Sequence, residues 1–232
     1  MSDVQPHDYR TSLPDFTRAE RVYRWVEFLT LFGVLPALFC FRSFHIPLPV
    51  LLLSAGLTCW IMLRRDPTFD RTPLWNVPGF LRGLPGVIAL WLAGAAVLAA
   101  GVLLVVPDKF LDFPRQRPGL WLAVMILYPL VSVYPQNIVY RVFVFHRYAP
   151  LFRTRAGIVW ASALAFCFGH IIFLNPLALI LTLVGGLIFA HTYERYRSGL
   201  LVSFQHALFG CLVFTVGMGK SLYLAAVSAG AR

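Results

Sequence analysis

The sequence is short of charge, and of negative charge above all. Only 13% of its 232 residues are charged, with ten acids against twenty bases. A soluble domain carries about 25% charged residues on its surface. With 59% hydrophobic residues and a mean hydropathy of +0.72, a soluble enzyme and a disordered chain are both excluded. Cysteine is scarce too. Cys40, Cys59, Cys167 and Cys211 lie in apolar runs, without close pairs or metal-ligand spacing. That excludes a secreted disulfide scaffold and leaves buried thiols acting as small hydrophobes. No internal repeat, low-complexity tract or second soluble domain is visible. Residues 1–24 carry Asp3, Asp8, Asp15 and Glu20 among four arginines, with no signal-peptide core. The first apolar run is therefore expected to remain as a membrane span.

What the chain has is long apolar runs. Apolar runs, most of them near the 17–25 residues a crossing needs and the last one short, predict an all-α, polytopic membrane helix bundle of about eight transmembrane helices. They fall at about 25–41, 46–63, 84–106, 119–146, 156–174, 177–192, 199–216 and 219–230. This gives a cytoplasmic segment 1–24, N-terminal transmembrane helices 25–118 and a transmembrane core 119–232. The fourth run contains Pro129 and Pro135 and is too long for one straight crossing, so a kinked or broken helix is expected. The Pro-rich 64–83 loop should place Trp75 and Phe80 at headgroup depth.

The net charge of +10 does not signal nucleic acid, because the bases are scattered between apolar runs rather than gathered in a stripe. The partner this pattern implies is the lipid bilayer. With eight spans, fourteen bases fall on the side of the termini and five on the other. The positive-inside rule then puts both termini in the cytoplasm. The compact loops suit a bacterial inner membrane.

Polar residues inside spans are the informative ones, because burying them in a bilayer is costly. From Asp112 onward the only carboxylate after that residue is Glu194. Yet this half holds Gln136, Asn137, Arg141, His146, His170, Asn175, His191, Gln205 and His206. Arg141 either snorkels to the interface or anchors to polar groups of another span, with Asn137 one turn before it. His170 and His206 sit in apolar helices, where imidazole can serve as base, oxyanion donor or metal ligand. His146 and His191 read as interfacial. Glu194 reads as a solvated ion pair, with Arg141 as its alternative partner. Gly169, Gly185 and Gly186 read as packing residues.

Four segments together resemble one family: YPQNIVYRVFVFHRY (134–148), FCFGH (166–170), GGLIFAHTYERYRSGL (185–200) and FQHALFG (204–210). They are similar to the CPBP intramembrane proteases, which include CAAX prenyl endopeptidases of the Rce1 type and bacterial Abi proteins. The resemblance spans about residues 120–217. The family's second motif, an aromatic residue and a histidine four positions later, falls on Phe166 and His170. Its third, a histidine with asparagine or a small residue four positions later, falls on His206 and Gly210. The arginine of its first motif falls on Arg141, and the two glutamates before it on Gln136 and Asn137.

The resemblance implies a site made of Gln136, Asn137, Arg141, His170 and His206, acting on membrane-embedded or lipidated peptides. It implies no particular cofactor. Where the family has glutamates this chain has amides, which hydrogen-bond but cannot take a proton from water. Some similar members carry glutamine at the first position, which makes Asn137 the loss that counts. Three readings follow. One is a working intramembrane endopeptidase with a histidine as base. The second is a pseudoprotease that holds a membrane segment as adaptor or regulator. The third is a metal-binding or transport role that uses His170, His206 and a further histidine.

Overall fold

The computed structural model describes residues 16–41, 47–152 and 154–219. Every regular element among them is helical. Seven apolar helices follow in order. They are α1 (Arg18–Phe39), α2 (Leu48–Arg65), α3 (Val77–Val105), α4 (Pro118–Arg147), α5 (Arg155–Gly169), α6 (Pro176–Tyr196) and α7 (Gly199–Thr215). Six segments are long and apolar enough to cross a membrane, and α7 is a shorter apolar helix. The expected eighth span, 219–230, falls almost wholly outside the described residues, as does His45 in the turn before α2.

The surface is apolar and the centre polar, the inverse of a soluble domain. Leu104 is 84% exposed, Val105 78% and Val97 70%, while Asn137, Arg141, Ser162, Gln205 and His206 are buried. An exterior of this kind is stable only against lipid.

Helix starts are set by caps. Thr17 and Glu20 form a capping box, so α1 begins at Arg18 and takes in residues assigned above to the polar N-terminal segment. Asn76 caps α3 by accepting from the Gly79 N–H, and Pro78 occupies its first turn. The helix therefore starts seven residues before the expected position 84, and Phe80 lies inside it rather than in a loop. Counting apolar residues missed this start because Arg82 interrupts the run. Trp75 stays outside, 59% exposed and stacked on Tyr134 at 5.5 Å. The Asn76 amide also donates to the Tyr196 carbonyl at 3.1 Å, and the Ser198 hydroxyl donates to the Asn76 carbonyl at 2.9 Å. These bonds pin the start of α3 to the turn between α6 and α7.

Helices α5 and α6 make the most extensive contact, and α7 packs on α3, α4 and α6. Gly186 explains the first. A Cβ there would lie 3.1 Å from the Ala163 carbonyl oxygen and 3.2 Å from its Cα, tighter than nearly all real Cβ contacts, so glycine favours this approach. Helix α1 is held to the end of α4 by Arg147, which donates to both Glu27 oxygens at 2.9 and 2.7 Å.

His146, at the end of α4, bonds Asp66 at 2.9 Å beyond the end of α2. Partial burial pushes the Asp66 carboxyl up. Hydrogen bonds from Thr68 and His146 outweigh it and hold the pKa at about 2. A carboxyl depressed in the folded state adds stability above its unfolded value of about 4, and that stability fades as pH falls toward 2. Asp66→Asn should therefore lower the melting temperature slightly at pH 6, by less than about 1 kcal/mol for so exposed a pair. The difference from the native chain should vanish near pH 2 in an acid titration followed by circular dichroism.

Candidate functional site

The site is organised by α4, which is one continuous helix of 30 residues rather than two broken pieces. Two segments of it, Pro129–Val133 and Ile138–Phe143, are wound as π-helix. Pro135 accounts for the first. It has no N–H to give, and its ring crowds the carbonyl four residues back; the wider turn relieves both. Nothing in the local sequence explains the second.

The two wide turns have a direct effect on what α4 presents. Tyr128, Ser132, Gln136 and Tyr140 recur every four residues, and all four line one cavity of about 700 Å³. In a regular α-helix of 3.6 residues per turn, such a repeat drifts by about 40° at each step. The π segments absorb the drift and keep the four on one face. The cavity's other walls come from α2, α3, α5, α6 and α7, and are mostly apolar. His170, which caps the C-terminus of α5 rather than sitting inside a helix, and His206 from α7 complete its polar end.

Gln136 borders the cavity. Its Nε2 donates to the Ser132 hydroxyl at 2.7 Å, and its Oε1 has no partner. Asn137 does not border the cavity. It lies behind His206, donating through Nδ2 to the Val133 carbonyl at 3.0 Å, with His206 Nδ1 3.3 Å away. Of the two amides at the glutamate positions, the one in reach of a ligand is thus Gln136.

Arg141 does not snorkel. It is fully buried, with its guanidinium 4.3 Å from the Phe166 ring centre and 5.6 Å from that of Phe189. Nη2 donates to the Gly186 carbonyl at 3.4 Å, while Nε and Nη1 have no partner. Glu194 is not its counter-ion. It pairs with Arg155 at 3.4 Å and is itself only 9% exposed, so it is less solvated than expected. The alternative reading of a Glu194–Arg141 pair is therefore excluded.

The two histidines present opposite faces. His170 Nδ1 lies 2.7 Å from the Phe166 carbonyl, which can only accept. Nδ1 of His170 therefore carries the proton, and Nε2 is a free acceptor with no protein partner among the described residues. His206 stacks on Phe189 at 4.7 Å and meets the edge of Phe166 at 5.3 Å. His191 is exposed and His146 is taken up by Asp66, so neither joins the cavity. No group of three or more His, Cys, Asp or Glu side chains that could hold a metal ion occurs among the described residues. Asn175 caps α6 by accepting from the Leu177 and Ala178 N–H groups.

Tyr128, Ser132 and Phe189 were missed in the sequence. The first two carried a usable signal, their four-residue spacing before Gln136 and Tyr140. Phe189 carried none, being one phenylalanine among twenty.

Together these helices define a polytopic, all-α membrane protein with a polar site enclosed among its spans. Residues 118–212 match the family described as type II CAAX prenyl endopeptidase Rce1-like, which carries the CPBP resemblance of this part of the chain. No curated protein and no solved structure matches the chain significantly.

Proposed function

We propose that this CAAX protease-type homologue receives a membrane-embedded or lipidated peptide in the cavity, and that its amides leave hydrolysis strongly reduced. The observation that carries this reading is the cavity's polar end. Two histidines and Gln136 border it, and among the described residues no carboxylate does. His170 Nε2 is the one free imidazole acceptor there and is the group to take a proton from water. Gln136 can orient a water or a carbonyl but cannot act as base. Arg141, behind Phe166, positions the aromatic wall on which both histidines rest. The chain sits in a bacterial inner membrane with its termini in the cytoplasm.

A second reading is a pseudoprotease that holds a segment without cutting it. Gln136 on the cavity wall favours it, because an amide can hydrogen-bond a bound backbone but cannot act as base. Quenched fluorescent peptides, prenylated CAAX-type members included, decide between the two in lipid nanodiscs. Slow cleavage that falls by about 10²-fold or more in His170→Ala supports residual hydrolysis with that histidine as base. Binding without cleavage selects the second reading. A chain that neither binds nor cuts any peptide would refute both.

A further inference from the structure

The hydrogen bonds around His206 have a direction. The Val133 carbonyl can only accept, which fixes Nδ2 of Asn137 as the end that faces it. The same nitrogen is 3.3 Å from His206 Nδ1, so Nδ1 must be the acceptor. An imidazolium, or the other neutral tautomer, would set N–H against N–H. The His206 proton is therefore on Nε2, which points at the Tyr128 hydroxyl at 3.4 Å. Tyr128 oxygen accepts that proton's bond, and its own hydrogen has no acceptor among the described residues. Tyr128 is one of the residues that line the cavity.

Gly210 is what allows this. A Cβ there would collide with the Tyr128 ring and hydroxyl, so the ring occupies the space that a side chain at 210 would fill. Phe214, one turn further along α7, also meets the ring edge-on at 5.2 Å.

We propose that Asn137, His206 and Tyr128 form a one-way relay whose last donor, the Tyr128 hydroxyl, binds a carbonyl oxygen of the ligand. Every donor in it points toward the cavity: Asn137 Nδ2–H to His206 Nδ1, His206 Nε2–H to Tyr128 oxygen, Tyr128 O–H to the carbonyl. The amide at 137 sets this polarity. A carboxylate there would accept from Nδ1–H, leave Nε2 as an acceptor, and draw the Tyr128 hydrogen back to the histidine. Tyr128 thus binds the ligand, and Asn137 is a positioning residue acting through His206. The ligand half of this proposal rests on the peptide reading given above.

The test uses the full chain in nanodiscs. Imidazole nitrogen chemical shifts should show His206 as the Nε2–H tautomer. Asn137→Asp should move the proton to Nδ1, and Tyr128→Phe should leave it on Nε2. Binding of a fluorescent prenylated peptide should weaken about three- to tenfold in Tyr128→Phe, the loss of one hydrogen bond. Tyr128→Phe keeps the ring against Gly210, so it tests the hydroxyl and not the packing. An Nδ1–H tautomer in the native chain overturns the relay. Equal peptide affinity for native and Tyr128→Phe overturns the role of Tyr128. If the tautomer is as stated but no variant binds peptide, the peptide reading fails and takes the ligand half with it, while the relay stands.

Discussion

Gln136→Glu should cleave peptides about 10²- to 10⁴-fold faster than the native chain, the range that a placed general base supplies. Gln136 is the amide on the cavity wall, and glutamate there is isosteric with it. The new carboxylate would face the same space as His170 Nε2 and could take a proton from water between them. The substitution leaves Asn137 and the direction of its bond to His206 unchanged. Asn137→Glu should gain much less. Its carboxylate would lie behind the imidazole and reverse the histidine's donor. The same change in chemistry, one position apart, should therefore give unequal gains. Initial rates on one quenched peptide for the native chain and both variants settle it. A larger gain in Asn137→Glu would show that position 137 holds the base, and that the cavity wall has been misidentified.

Gly186→Val should destabilise the bundle by about 2–3 kcal/mol or more, as overpacking of a close contact does. The atoms it would meet are the Ala163 backbone, which cannot swing aside as a flexible side chain would. The same residue supplies the one carbonyl that Arg141 bonds, so spreading α5 from α6 also loosens the guanidinium between its rings. Gly101→Ala is the contrast. A Cβ there meets nothing within 4 Å, so the change should be neutral or slightly stabilising through helix propensity. Detergent unfolding curves for the two variants should separate clearly, and overlapping curves would mean that α5 and α6 do not depend on this approach.

Much of this was legible in the sequence. Apolar run length located six spans and α7 to within a few residues, except at the starts of α1 and α3, where charged residues broke the run but the Thr17 and Asn76 caps begin the helix seven residues earlier. The polar residues of the second half were visible because a bilayer leaves so few reasons to keep them. What could not be read was which side of α4 each one faced. Gln136 and Asn137 are neighbours in sequence, about 100° apart on a helix. Ranking them needed the position of α7. The partner of Glu194 was likewise a question of which helix ends meet, and Arg155 rather than Arg141 stands beside it. The relay depended on a carbonyl, Val133, whose role no side-chain pattern announces.

The wide turns of α4 place an unusual demand on inheritance. A point substitution at 132, 136 or 140 alters one group on the cavity wall. Loss or gain of a single residue there turns everything beyond it by about 100° and carries Arg141 out from between its rings. The segment is thus tolerant in spelling and strict in length. Relatives of this chain should vary in which groups occupy positions 128, 132, 136 and 140 far more freely than in how many residues separate them.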